Sequence, residues 1–147
     1  DVDKITICMD AKHKTAKNIF LKKDFTVSMA DVKNMTAADY VGIVSANDVP
    51  DKLEKTGWHV TKSEFVDAPV FEELPMTLEC KMLTFDEETE LMTAEIVNIC
   101  VDESILGENG KIDLNKFQPI AYDSCNHAYV VLGSKVGNAF KDGFALK

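Results

Sequence analysis

The chain has 147 residues and a formal net charge of −9, because 25 acidic residues outnumber 16 basic residues, all of them lysine. This charge disfavours binding to the phosphate backbone of nucleic acids, since proteins that bind it carry a basic face. Without arginine no site can use a bidentate guanidinium, so an anion must be bound by lysine, histidine, hydroxyl or backbone N–H groups. Positive charge gathers at the start of the chain, where residues 1–23 hold six lysines and three aspartates, a net charge of +3.

The length predicts one domain over residues 1–147, large enough to bury a core without disulfides or metals. No apolar run approaches the roughly 18–20 residues of a membrane span. The first residues also lack the apolar segment of a signal peptide. The four cysteines are scattered and form no C-x-x-C pair, which favours a reduced, cytoplasmic protein.

Alternation of apolar and polar residues predicts the strands. They fall at residues 4–9, 24–29, 58–66, 77–85, 91–101 and 128–133. The fourth and fifth are separated by the acidic stretch 86–90, and we predict that they form a long antiparallel hairpin with a solvated turn. Leu78 and Cys80 of this hairpin are predicted to face the core. Glu79 and Lys81, which alternate with them, are predicted to face water.

Helices are predicted where a capping residue precedes a short segment with helical periodicity. These segments are residues 16–23, 37–45, 51–56, 70–74 and 114–117, with a last turn or helix at 134–143. Thr15, Thr36 and Asp113 are the expected N-caps of the first, second and fifth segments. Pro50 suits the first turn of the third, which Gly57 ends as a C′ residue. Short helices between short strands predict a mainly β fold, a small antiparallel barrel with helices packed outside.

Two segments are candidates for binding an anion. Lys12-His13-Lys14-Thr15 joins two ammonium groups, an imidazole and a hydroxyl at the start of a helix, where backbone N–H groups also converge. The alternative is a solvated turn before the helix. Residues 45–52 form a small polar loop that ends on Lys52 and can also cradle a phosphate or a ring edge. The alternative for this loop is an ordinary helix start.

Other familiar sites are absent from the sequence. There is no dinucleotide-binding glycine motif, Walker A motif, H-E-x-x-H motif or calcium loop. The three histidines lack metal-ligand spacing, so no metal site is predicted. An aromatic ring can stack on a flat cofactor, but such residues belong more often to a core or a dimer interface. The aromatic candidates are Trp58, Phe117, Tyr122, Tyr129 and Phe140.

In order and spacing, segments from residue 5 to residue 143 resemble the flavin reductase-like family, the FMN-binding split-barrel proteins. The segments that carry the resemblance are Lys12-His13-Lys14-Thr15 with Asn18-Ile19, Asp24-Phe25-Thr26-Val27, Ala38-Asp39-Tyr40-Val41-Gly42-Ile43-Val44-Ser45, Asp51-Lys52, Thr56-Gly57, Ala68-Pro69, Leu78-Glu79-Cys80, Glu95-Ile96-Val97, Glu108-Asn109-Gly110-Lys111-Ile112 and Gly133-Ser134-Lys135-Val136-Gly137-Asn138-Ala139-Phe140.

The resemblance implies an antiparallel split β-barrel, usually a homodimer, that binds FMN without a covalent bond near the subunit interface. The resemblance implies that two segments of the family pattern contact the flavin. One is a basic segment with threonine, and the other is a Ser-Gly-x-x-x-x-Lys-like segment. In this chain Ala46 stands where glycine is common in the second segment. The residues that the resemblance assigns to the cofactor are His13, Lys14, Thr15, Ser45 and Lys52.

The resemblance therefore implies a flavin-dependent oxidoreductase or electron-transfer protein, supplied with reducing equivalents by NAD(P)H or by a redox partner. Family members have further strands before the one at Ile5, and we expect either a trimmed chain or a shortened family member. The shortened form is the alternative: a degenerate split-barrel dimer that has lost the flavin and acts as a binding or structural module. Split-barrel relatives also bind haem or pyridoxal-type cofactors. Here no arginine is present for the latter, and nothing marks His59 or His127 as a haem ligand.

Overall fold

The computed structural model describes residues 3–147. Its strands are β1 (Lys4–Cys8), β2 (Asp24–Ser28), β3 (Val60–Lys62), β4 (Pro69–Phe71), β5 (Met76–Asp86), β6 (Leu91–Val101), β7 (Ile120–Asp123) and β8 (Ala128–Val131). Its α-helices are α1 (Lys14–Lys22), α2 (Met35–Ile43) and α3 (Leu114–Phe117). Short 3-10 helices lie at Glu54–Thr56, Glu103–Ile105 and Asp142–Leu146. Every strand pair is antiparallel, as the sequence predicts.

The main sheet has four strands in the order β1-β6-β5-β2. Its centre is the predicted long hairpin, in which β5 pairs with β6 from Met76↔Val101 to Asp86↔Leu91. The register shifts twice along this hairpin, between Glu79 and Cys80 and between Met82 and Thr84. Such bulges bend a strand and increase its twist, which curls the sheet. The turn at the tip is solvated as predicted, and the Asp86 side chain accepts hydrogen bonds from two backbone N–H groups there.

The core lies between this sheet and α1. Its buried members are Ile19, Phe25, Leu78, Cys80, Met92 and Ala94. The alternating residues Ile5, Ile7 and Met9 pack against the same cluster, and the Phe20 and Phe85 rings approach to 4.8 Å between centroids. The predicted period of two therefore places these residues correctly on the inner face.

One prediction about the hairpin is wrong. Glu79 was expected to face water, but only 1% of its surface is exposed. The segment between β3 and β4 reaches Glu79, because the Ser63 hydroxyl donates a hydrogen bond to its carboxylate, and Val66 and Ala68 of the same segment are buried. Lys81, two residues further along the same face, is exposed as predicted.

The predicted caps of the first two helices are also wrong. α1 begins at Lys14 with His13 in the N-cap position, and α2 begins at Met35 with Asn34 in that position. The chain turns earlier than expected before α1 because of two hydrogen bonds to Asp10. The Asp10 side chain accepts one from the Lys12 N–H, and the Asp10 backbone carbonyl accepts one from the His13 N–H. Asp113, in contrast, caps α3 through its side chain as predicted.

Three further elements differ from the sequence predictions. Residues 51–56 contain a 3-10 turn rather than an α-helix, although Gly57 ends it with the expected positive φ of 71°. Residues 70–74 do not form a helical turn, because Pro69–Phe71 pairs with Val60–Lys62 as a strand. The strand predicted over 58–66 is correspondingly shorter.

The last part of the chain forms a second hairpin, β7–β8, which lies outside the main sheet. The sequence predicts β8, but its partner strand β7 was missed. No helix within residues 3–147 is both long enough and apolar enough to span a membrane. All four cysteines are unpaired, and three of them are exposed.

Candidate functional site

A cavity of about 660 Å³ opens between α1, β2, the loop before the 3-10 turn and β4. Its volume falls in the range of roughly 300–1,000 Å³ that is usual for small-molecule sites. The apolar part of its lining includes Ile19, Leu21, Phe25, Val41, Leu53 and Phe71. The polar part includes Lys14, Thr15, Asn18, Lys22, Thr26 and Lys52.

One wall of the cavity is a polar stripe along α1. Lys14, Asn18 and Lys22 are four residues apart, so they share one face of the helix, and all three line the cavity together with Thr15. The His13 side chain makes no capping hydrogen bond. The N–H groups of the first turn have no partner within the helix, and they add positive potential beside Lys14.

Lys14 and Thr15 are exposed. Neither side chain forms a hydrogen bond or an ion pair with any residue from 3 to 147. Their ammonium and hydroxyl groups therefore remain available to a ligand. This is the chemistry that a chain without arginine has to use for a phosphate group.

Lys52 lines the same cavity, but its ammonium group is already engaged. Its Nζ donates to the Val41 carbonyl at 2.6 Å and to the Val44 carbonyl at 2.7 Å. These are carbonyl groups at the end of α2, where a cation is favourable. An ammonium has three N–H donors, so one of them is left for a ligand.

Ser45 and His13 do not line the cavity, although both are exposed residues of the described chain. The Ser45 hydroxyl accepts a hydrogen bond from the Asn47 N–H at 3.1 Å, and Ala46 takes the lining position beside it. The Asn47 side chain donates to the Lys12 carbonyl at 3.3 Å. The structure thus brings the two predicted anion-binding segments together.

The far end of α1 carries an ion-pair cluster at the rim of the cavity. Lys22 Nζ lies 2.5 Å from Asp67 Oδ2, and Lys62 Nζ lies 3.2 Å from Asp67 Oδ1. The hydrogen bond and charge of Asp67 raise the pKa of Lys22, and the two lysines lower the pKa of Asp67. Asp67 also donates its N–H to Asp24 at 2.7 Å, so this cluster ties the β3–β4 segment to α1.

Sequence reasoning missed Asn18, Lys22 and Asp67 as lining residues. The spacing of Asn18 and Lys22 from Lys14 could have identified the first two, because positions four and eight residues apart share a helix face. No local signal marks Asp67, which reaches the cavity through the pairing of β3 with β4.

The predicted aromatic candidates lie elsewhere. Phe117 is buried and Phe140 is almost fully exposed. Tyr122 and Tyr129 form a ring pair on the second hairpin, and Tyr129 donates to Asp39 at 2.8 Å. Trp58 packs against Phe71, a residue that lines the cavity.

Solved structures share this fold over nearly the whole chain. A flavoredoxin of Desulfovibrio vulgaris (Miyazaki F) is 31% identical, with a TM-score of 0.89 over 95% of this chain and 75% of that chain. A flavoredoxin from Methanosarcina acetivorans is 25% identical, with a TM-score of 0.84 over 98% of this chain and 75% of that chain. An FMN-binding domain of a flavin reductases-like enzyme from Shewanella baltica OS155 is 19% identical, with a TM-score of 0.82 over 92% of this chain and 73% of that chain. At this identity the similarity supports the fold alone. The predicted antiparallel split barrel is confirmed.

A curated protein of Aquifex aeolicus (strain VF5), described as uncharacterized, is 29% identical over 108 residues, which is 72% of this chain and 55% of that protein. The chain therefore spans about half the length of that relative. The family described as "Flavin reductase like domain" matches residues 3–124. This match covers most of the chain, and the chain belongs to the flavin reductase-like family.

Proposed function

We propose that this chain binds FMN in the cavity beside α1 and acts as a flavin-dependent oxidoreductase or electron-transfer protein. The observation that carries the proposal is the pairing of two available phosphate-binding side chains, Lys14 and Thr15, with an apolar wall in one cavity. Membership of the flavin reductase-like family supports the same assignment.

The donor set of the cavity fits the two chemically distinct parts of FMN. A phosphate suits Lys14, Thr15 and the N–H groups that begin α1. A flat ring system suits the apolar side chains of the lining, of which Phe25 and Phe71 are aromatic. The cavity thus offers both polar and apolar partners to one ligand.

Bound flavin would supply the hydride or single-electron chemistry. The chain's own residues have binding and positioning roles in this proposal. Lys14 and Thr15 hold the phosphate, His13 offers an imidazole N–H at the helix start, and Ser45 and Lys52 shape the adjoining loop. Lys52 acts there chiefly by fixing the end of α2 against the cavity.

The electron donor is proposed to be NAD(P)H or a redox partner protein. A homodimer and a cytoplasmic location complete the proposal. The exposed apolar side chains of the second hairpin and the C-terminal segment are consistent with a covered surface; they include Val130, Val131, Leu132, Val136 and Phe140.

The proposal is tested by titrating FMN into the purified protein and following the quenching of flavin fluorescence. Lys14→Glu should weaken binding far more than Lys81→Glu, because Lys81 is an exposed lysine on β5 outside the cavity lining. Equal effects would refute the placement of the phosphate. A wild-type protein that neither quenches nor turns yellow at micromolar concentrations would favour the degenerate dimeric module instead.

A further inference from the structure

A second cavity, of about 550 Å³, lies beside the first turns of α2. One wall comes from α2 and the residue before its N-cap, and the other comes from the 3-10 turn and the residues after it. Its principal lining residues are Lys33, Thr36, Tyr40, Lys55, Thr56 and Trp58. None of these residues lines the first cavity.

Trp58 is a fixed aromatic wall of this cavity. Its indole N–H donates to Asn34 Oδ1 at 3.2 Å, and its backbone N–H donates to the Thr56 hydroxyl at 3.1 Å. Its ring packs against Phe71 with 5.4 Å between centroids. Asn34 is itself held by Asp31 Oδ1 at 2.9 Å, so the indole is anchored to a buried hydrogen-bond network. A ring held on several sides loses little entropy when a ligand stacks on it.

The charge of the cavity is positive, in a chain whose net charge is −9. Lys33 and Lys55 both line it, and neither side chain has an ion-pair or hydrogen-bond partner among residues 3–147. The one acidic lining residue is Glu73, whose carboxylate accepts from the His59 backbone N–H at 2.9 Å and pairs with its ring Nδ1 at 2.6 Å. Its carboxylate is therefore engaged by His59, and the lining keeps two lysines against one acidic residue.

We propose that this second cavity binds an aromatic or heteroaromatic anion, with its ring against Trp58 and its anionic group attracted by Lys33 and Lys55. The ligand needs both a ring and a negative charge, because stacking and a partly exposed ion pair each contribute only a modest binding free energy by themselves. The proposal does not depend on flavin binding, because Lys33, Lys55 and Trp58, which would contact the ligand, lie outside the lining of the first cavity. A nucleoside monophosphate and an aromatic carboxylate share the required chemistry.

Trp58 is the only tryptophan in the chain, so its fluorescence reports directly on this cavity. The test titrates AMP, benzoate, adenosine and inorganic phosphate separately into protein without added flavin. Saturable quenching by AMP alone assigns a nucleotide, and quenching by benzoate alone assigns an aromatic carboxylate. Either result supports the proposal, and so does quenching by both. No saturable quenching by AMP or benzoate at low millimolar concentrations would overturn it.

The role of charge is tested with a double variant, Lys33→Glu with Lys55→Glu, against a matched control, Lys81→Glu with Lys111→Glu. We expect the first to weaken binding about tenfold or more, equivalent to about 1.4 kcal/mol, and the control to leave it unchanged. Circular dichroism checks that both variants fold. If the Lys33→Glu, Lys55→Glu variant does not fold, the role of charge is tested on the wild-type protein, because added salt should weaken AMP binding but not adenosine binding. Equal affinity for AMP and adenosine would refute the role of the lysines.

Discussion

Replacement of Glu79 by alanine should destabilise the fold strongly, because this carboxylate is buried on the second face of β5. One oxygen accepts a hydrogen bond from the Ser63 hydroxyl, and the other accepts one from the Asn98 side-chain amide. The Ser63 hydroxyl oxygen in turn accepts hydrogen bonds from the backbone N–H groups of Phe65 and Val66, each at 3.0 Å. Glu79 therefore links the central hairpin to the segment that carries Asp67 and Ala68 into the first cavity.

The expected cost follows from these contacts. A hydrogen bond to a charged group contributes about 1.5–3 kcal/mol, and a buried donor left without its partner costs about 1–3 kcal/mol. Glu79→Ala removes both hydrogen bonds and leaves the buried Ser63 hydroxyl without its acceptor, so we expect a cost of about 2–5 kcal/mol. Glu79→Gln should cost less, about 1–2 kcal/mol, because the amide keeps the shape and one acceptor while losing the charge.

Urea denaturation, followed by Trp58 fluorescence and by circular dichroism, measures this change in the free energy of unfolding. Glu87→Ala is the matched control, because Glu87 is an exposed acid at the tip of the same hairpin. Its effect should stay within about 0.5 kcal/mol. A cost below about 1 kcal/mol for Glu79→Ala, with an unchanged dependence on urea, would refute the argument that this network holds the β3–β4 segment in place.

Three further predictions concern other groups. Burial, together with the neighbouring Glu79, raises the pKa of the Cys80 thiol to about 11. A thiol reagent at neutral pH should therefore titrate three cysteines in the native protein and four after unfolding. Rapid reaction of all four cysteines in the native protein would contradict this. Glu73 raises the pKa of His59, and His59 lowers that of Glu73. Their mutual stabilisation should be greatest between pH 4.5 and 6.5, the ordinary pKa values of the two groups. It should fade as pH rises through the folded pKa of His59 or falls through that of Glu73, and it should disappear in Glu73→Gln. An NMR titration in which the His59 pKa is the same in the wild-type protein and in Glu73→Gln would disprove the pairing. Lys52→Met should cost about 1–3 kcal/mol by removing two hydrogen bonds at the end of α2, whereas Lys55→Met, its exposed neighbour, should have little effect in the same denaturation experiment.

Several features of the fold could be read from local patterns. Strict alternation places Ile5, Ile7, Leu78 and Cys80 on the inner face, because successive side chains in a strand point to opposite sides. The long hairpin follows from two such runs around an acidic turn. Asp113 caps its helix as expected, because its side chain accepts a hydrogen bond from the Asn115 N–H in the first turn.

The candidate site was predicted in part. Lys14, Thr15 and Lys52 are brought to one cavity, while His13 and Ser45 lie beside it. Local charge and hydroxyl content were enough to select the two segments. They could not show that the Lys52 ammonium bonds to the end of α2, because that contact depends on how the chain folds back after Pro50.

The sequence by itself determined the chemistry available to this protein. A chain with lysine as its only strong cation has to bind a phosphate without guanidinium groups, and the net +3 of residues 1–23 led to the prediction of a phosphate site near the start of the chain. Only the tertiary structure decided which of these groups share a cavity, and why Glu79 lies in the interior. Burial on the second face of a strand depends on segments distant in sequence. The partner of the strand predicted at 58–66 also could not be identified, because Pro69–Phe71 is too short to show a periodic signal.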